Sequence, residues 1–266
     1  MSVTAPAATV GDLLRDWRQR RRLSQLDLAV DAEVSARHVS FVETGRSRPS
    51  RELLLHLAEH LEVPLRDRNT MLLAAGYAPL YAQRSLETDE LRPVRDALDK
   101  ILAGHAPFPA VVVDRRWDLV AANDAAMNLM GARVRNPQLL EAPLNTLRVS
   151  LHPDGLAPDI VNLPQYAAHL VARLDRQAAA AQDNELRALS RELRTYPDVP
   201  SGVIDHADIV GRLFVPLILR NGDDEPLTFF STIATFGTAL DVTVAELAIE
   251  QFFPADAVTT NALRGK

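Results

Sequence analysis

Residues 23–50, LSQLDLAVDAEVSARHVSFVETGRSRPS, constrain this chain more than any other stretch. Ser24 is placed to cap a helix N-terminus, and Asp27 three residues later completes a capping-box pair. Leu26, Ala29 and Val30 follow at i, i+3 and i+4, which predicts one buried stripe. Ala32-Glu33-Val34 is too short for anything but a turn. Ser35 caps a second helix whose Val39 and Val42 face inward. The opposite face of that helix carries Ala36, Arg37, His38, Ser40 and Phe41. A short exposed helix with a cation and small polar groups near its start suits the DNA major groove.

The flanking residues extend this unit. Residues 10–22 read as a helix with Leu13, Leu14 and Trp17 inward and a basic end. That end suits either the helix dipole or contact with phosphate. Arg46-Ser47-Arg48-Pro49-Ser50 is a basic loop, and Ser50 caps a helix over 51–61 bearing Leu53, Leu54, Leu57, Ala58 and Leu61. Pro64 opens a fifth helix that Gly76 ends. His56-Leu57-Ala58-Glu59-His60 matches a zinc-site spacing, but its helix is needed to pack the bundle, so the match is read as coincidence.

Charge supports a division of labour. The chain of 266 residues has a net charge of −6. Residues 1–84 carry 12 arginines against 10 acidic residues, and the remainder 17 basic against 25 acidic. A mildly basic module on an acidic body fits one DNA-binding end. No cysteine occurs, which excludes disulfides, thiolate metal sites and cysteine nucleophiles. No apolar run approaches the roughly 18–20 residues of a membrane span. The N-terminus lacks a signal pattern, so a cytoplasmic protein with no membrane partner is expected.

Beyond residue 80 the periodicity changes. Residues 89–104 form a helix with Leu91, Val94, Leu98, Ile101 and Leu102 inward, read as a linker or dimer helix. Residues 109–114 and 117–122 read as strands, and Asn123 caps a helix that Gly131 ends. Residues 163–182 and 184–195 are helical. Residues 208–220 are β-like, Asn221-Gly222 signals a hairpin, and 227–236 supply its partner. Residues 244–253 are a strand or a short helix, and a small helix follows Asp256.

LSQLDLA, VSARHVSFVETG and RSRPS resemble the Cro/repressor-type helix-turn-helix of the XRE family. AVVVDRRWDLVAAN, LHPDGLAPDIVN, FFSTIATFGTALDVTVAEL and QFFPAD resemble the MmyB-like ligand-binding domain, which that family attaches to an XRE-type helix-turn-helix. The resemblance spans about residues 10–258. Residues 1–9, rich in Ala, Thr and Pro, are expected to be disordered; the resemblance implies an α+β chain, with an all-α five-helix domain over 10–80, a linker or dimer helix over 81–104 and a PAS-like domain over 105–266. In that last domain, helices pack on one face of an antiparallel sheet. It also implies a transcription regulator that binds a small hydrophobic molecule, with fatty acid a plausible class.

The expected DNA-contacting residues are Gln25, Ser35, Ala36, Arg37, His38, Ser40, Arg46 and Arg48. Arg37 is assigned to guanine, Ala36 to a thymine methyl, and Arg46 and Arg48 to the backbone. The role of Gln25 at phosphate or a base edge is implied by resemblance. For the ligand, Trp117, Met127, Met130, Phe214, Phe229 and Ile233, with Phe230 and Phe236, either line a pocket or are simply core. Arg148, His152, Asn162, Ser231 and Thr235 are candidates to orient a ligand. His152 alternatively braces its own loop.

No nucleophile-elbow, phosphate-loop, dinucleotide or zinc-protease motif occurs. Asp205-His206-Ala207-Asp208 sits in a loop where solvated charge is the default, so no enzyme and no cofactor are expected. The expected protein is a homodimeric repressor responding to a small hydrophobic ligand on a double-stranded, pseudo-palindromic operator. The alternative is a regulator whose acidic half binds a protein partner.

Overall fold

The computed structural model describes residues 8–200, 214–222 and 224–265. The chain divides into two compact units: residues 1–85 with 238–245, and residues 86–237 with 246–266. Asp205-His206-Ala207-Asp208 and the predicted strand up to Leu213 lie outside the described residues.

The first unit holds α1 (Val10–Arg20), α2 (Gln25–Asp31), α3 (Ala36–Glu43), α4 (Arg51–His60) and α5 (Leu65–Ala74). Ser24, Ser35 and Ser50 each accept a hydrogen bond from the third backbone N–H of the helix they start. These caps satisfy donors that a short helix cannot satisfy internally. Gly76 ends α5 with φ +77°, a conformation a side chain would strain. Leu14, Leu28, Leu54, Leu57, Leu61 and Leu72 are fully buried and form the centre of its core.

The stripe predicted for α2 is corrected. Leu26 and Val30 are 62% and 67% exposed, and Leu28, Ala29 and Ala32 are the buried positions. Apolar residues occur all round this seven-residue helix, so spacing alone does not choose the face. Packing against α3 and α4 does.

The same unit takes in α11 (Val242–Ala245), which lies against α5. Asp241 pairs with the Arg84 guanidinium at 3.1 Å. The Val242 N–H donates to the Ala82 carbonyl, and the Thr243 hydroxyl donates to the Arg84 carbonyl.

The second unit is built on a five-stranded antiparallel sheet in the order β2-β1-β5-β4-β3. Its strands are β1 (Ala110–Val113), β2 (Leu119–Ala122), β3 (Leu217–Asn221), β4 (Asp224–Thr235) and β5 (Ala248–Pro254). Gly222, at φ +60°, turns the β3–β4 hairpin that Asn221-Gly222 predicts. Residues 244–253 resolve into the end of α11 and β5, so both alternatives at that stretch are realised in part.

Helices cover both faces of the sheet, not the one expected. Ala110, Val112 and Ile249 pack on Leu98 and Leu102 of α6 (Arg92–Gly104). The predicted linker or dimer helix is thus part of this unit's core. Val111, Glu250 and Phe252 point to the other face, where period-two alternation places them. That face is covered by α7 (Asp124–Gly131), α8 (Thr146–Leu151), α9 (Leu163–Ala181) and α10 (Asn184–Leu193).

Candidate DNA-reading helix and ligand cavity

In the first unit, Glu43 organises the reading helix. It is 2% exposed and takes two hydrogen bonds from Arg18, Nε to Oε1 at 2.6 Å and Nη2 to Oε2 at 2.8 Å. The Gln25 amide donates to the same Oε2 at 2.7 Å. Burial pushes the Glu43 carboxyl up, but the bonds from Arg18 and Gln25 hold it below its ordinary value. Gln25 is therefore a brace between α2 and α3, with its amide nitrogen engaged.

Arg37 and His38 are exposed in the first turn of α3, and Ala36 and Ser40 are half-buried beside them. The Arg37 guanidinium lies over the Phe41 ring at 5.0 Å, and Arg46 approaches the same ring at 5.9 Å. Phe41 thus holds two exposed cations on one side of α3. Ser35 spends its hydroxyl on the His38 N–H.

Arg48 is exposed and also bonded within the protein. Its Nε and Nη2 both donate to the Ala75 carbonyl, at 2.9 and 2.6 Å, and it lies over Tyr77. The Tyr77 hydroxyl donates to the Pro49 carbonyl. This loop is a clasp on the end of α5, where a cation also suits the helix dipole. His56, from the zinc-like spacing, sets its Nε2 2.8 Å from the Ala32 carbonyl, so it ties α4 to the end of α2.

In the second unit, the cavity lies between the sheet and the helices over it. It is narrow, with a volume of about 70 Å³. Its apolar wall includes Val111, Leu129, Leu147, Leu156, Leu170 and Leu217. Among the predicted residues, Trp117, Met130 and Phe229 line it.

The others do not line it. Met127, Phe214 and Ile233 are 42%, 52% and 45% exposed. Met127 belongs to α7's outer side, and Ile233 stands beyond Ser231 on β4. Arg148 is bonded twice to Glu192, which also accepts from the Tyr196 hydroxyl. His152 Nδ1 accepts from the Asp154 N–H and braces its own loop. The Asn162 side chain bonds the Pro216 carbonyl and the Ile218 N–H. Ser231 lies outside the wall but donates to Glu250, which is in it.

Besides most of the apolar wall, sequence reading missed its two ionisable residues, Tyr166 and Glu250. They sit in a segment read only as helical and in one left between strand and short helix, where a lone polar group looks incidental. The signal available was position: Ser231, a named candidate, shares a sheet face with Glu250 once the strands are paired. Glu250 is 8% exposed, and burial raises its carboxyl, against the pull of Arg173 and the Ser231 hydroxyl. Burial likewise pushes the Tyr166 phenol well above its usual range.

Trp117 sits at φ +68°, a left-handed conformation that bulky residues rarely adopt. Its carbonyl accepts from the Thr146 N–H and hydroxyl, and further contacts hold it. Its indole N–H donates to Gln177 at 2.9 Å, its own N–H donates to the Asp114 carbonyl, and Arg173 lies over the ring at 4.3 Å. Strain at a cavity wall is a common property of ligand sites.

Residues 94–265 match the model of the MmyB-like transcription regulator ligand binding domain. The chain belongs to that family. Residues 9–71 match a helix-turn-helix domain. This MmyB-like chain therefore joins a DNA-binding helix-turn-helix to a small-molecule-binding domain, the architecture of a ligand-responsive transcription regulator. The family match begins inside α6, in keeping with that helix's place in the second unit's core.

No curated protein matches the chain. Among solved structures, the chain is similar to an RNA-binding light-oxygen-voltage receptor at 17% identity, covering 98% of this chain and 67% of that one. The TM-score of 0.23 is too low to say that the two share a fold. Among the described residues, no helix is long and apolar enough to cross a membrane.

Proposed function

We propose that this MmyB-like regulator is a cytoplasmic homodimeric repressor whose grip on its operator changes when a small hydrophobic molecule enters the second unit. The observation that carries this reading is the mostly apolar cavity walled by Trp117, Met130 and Phe229, in a chain whose other unit presents an exposed reading helix. Sites of this kind combine an apolar lining with few polar groups. The five-stranded order β2-β1-β5-β4-β3 supports a PAS-like reading of the second unit. A fatty-acid-like hydrocarbon suits a narrow apolar cavity.

Two reading helices would enter successive major grooves about 34 Å apart on a pseudo-palindromic site. Ala36, Arg37, His38 and Ser40 face the base edges, Arg46 reaches phosphate, and Gln25 and Ser35 set the pose. A ligand shifts this equilibrium only if it binds the two states differently. Selection of operators from random DNA, with and without a cell lipid extract, tests the reading. A palindromic consensus whose occupancy changes with extract is expected. Operator binding indifferent to every extract would leave a constitutive DNA-binding protein.

A further inference from the structure

We propose that two copies of this chain join edge to edge along the second half of β4, from Ser231 to Thr235, with the dimer's two-fold axis at Ile233. This names the contact surface of the homodimer put forward above and rests on that reading. β4 is interior to the strand order, yet only its first half is paired on both sides. Its register with β3 ends at Leu217 opposite Phe229, whereas its register with β5 runs on to Thr235 opposite Ala248. From Ser231 onward β4 is therefore an edge strand.

Backbone alternation fixes which groups that edge presents. The Ala255 N–H donates to the Thr228 carbonyl, on the β5 side. Successive residues of an antiparallel strand turn their N–H and C=O to opposite sides, so Phe230, Thr232 and Ala234 also face β5. Ser231, Ile233 and Thr235 face away from it. Among the described residues, none hydrogen-bonds to the backbone groups of Ser231, Ile233 and Thr235. Residues 231–235 are all exposed.

A row of unpaired N–H and C=O groups is a template for another strand, and proteins commonly blunt it with charge, proline or a bulge. Ser231-Thr232-Ile233-Ala234-Thr235 has no charge and no proline, and its register with β5 is unbroken. The strand is complementary to itself in charge. Antiparallel pairing with its own copy is what a two-fold axis produces, the same patch serving on both sides. With the axis at Ile233, Ser231 falls opposite Thr235 of the partner subunit. Each outward N–H, partly positive, then meets an outward carbonyl, and no ionised side chain meets its own image. The Ile233 side chains, 45% exposed in the single chain, cover one another across the axis. A closed pair uses up both edges, so assembly stops at two.

The test uses the full chain, which contains no cysteine, so an introduced thiol reports its own contact alone. At a hydrogen-bonded antiparallel pair the Cα atoms stand about 5.5 Å apart, within the disulfide range of roughly 4.4–6.8 Å. Ile233→Cys is expected to yield a disulfide-linked dimer with copper phenanthroline. Met127→Cys, at a side chain 42% exposed on α7, is expected to stay single. In sedimentation velocity the unaltered chain should be dimeric. Ile233→Asp sets like charges face to face and should weaken self-association more than about tenfold. Ile233→Pro removes the outward N–H where an edge strand accepts proline, and should act in the same direction. A dimeric chain whose Ile233→Cys variant cross-links no better than Met127→Cys overturns the edge contact and leaves the homodimer standing. So does a dimer undiminished by both the Asp and the Pro substitution. An unaltered chain that stays monomeric across the concentration series overturns both readings. Should the Asp or Pro variant not fold, judged by circular dichroism, the milder Ile233→Cys result decides.

Discussion

Glu43 shows how one residue can set the geometry of a reading helix without facing DNA. Its carboxylate is buried and bonded to Arg18 and Gln25, so α1, α2 and α3 are held at one point. Removing one partner of a buried ion pair strands the other charge, which costs about 3–5 kcal/mol. Glu43→Gln should lower unfolding stability by about that amount in urea at pH 7. The pH dependence has a definite sign. Glu43 lies below its ordinary 4.5 when folded, so its contribution is present above that value and lost as pH falls through the lower folded value. The variant should lack this part of the acid unfolding transition.

Arg37 and Arg48 separate on the same logic. Arg37 is exposed and backed by Phe41, so Arg37→Ala should weaken operator binding by about 1–3 kcal/mol and relax preference at one base pair. Unchanged operator discrimination in a binding selection would mean that another residue reads that base. Arg48 is tied twice to the Ala75 carbonyl. Arg48→Ala should therefore destabilise the first unit by about 1–2 kcal/mol, whatever it also does to phosphate contact. Thermal unfolding without DNA reads that effect alone.

At the scale of elements, Asn123 joins three of them. Its Oδ1 accepts from the Ala126 N–H, capping α7, and from the Ala110 N–H of β1. Its Nδ2 donates to the carbonyls of Leu102 in α6 and of Phe108. Asn123→Ala should cost about 2–4 kcal/mol, combining a lost cap with unpaired buried groups. Asn123→Asp keeps both acceptances but turns a carboxylate toward two carbonyl oxygens, so it should rescue little. Recovery to the original stability would show that the cap alone matters.

The capping role of Asn123 was legible in the sequence, as were Ser24, Ser35, Ser50, Gly76 and the Asn221-Gly222 turn. These are local devices, each acting within a few residues. The buried face of α2 and the place of α6 were not. Each depends on which distant element arrives, and no window of sequence contains that partner.

At the scale of the molecule, β4 and β5 both carry cavity residues, Phe229 and Glu250 among them. The chain between them, Thr238–Ala245, is built into the DNA-binding unit and pinned by Asp241 to Arg84. Arg84→Ala should leave ligand affinity unchanged and reduce the effect of ligand on operator binding, measured by fluorescence anisotropy of labelled DNA. An undiminished ligand response would rule out this connection as the route.

By itself the sequence determined the kind of chain this is. Short capped helices with Val39 and Val42 inward specify the helix-turn-helix, and alternating apolar runs with a hairpin turn specify an antiparallel sheet. Both follow from periodicity and backbone chemistry, which are local. Only the tertiary structure decided which polar groups meet. Gln25 and Glu43 are 18 residues apart, Arg48 and Ala75 are 27 apart, and Tyr166 and Glu250 come from α9 and β5. Whether such a group is free to touch DNA or ligand depends on a partner from far along the chain, and folding alone brings the two together.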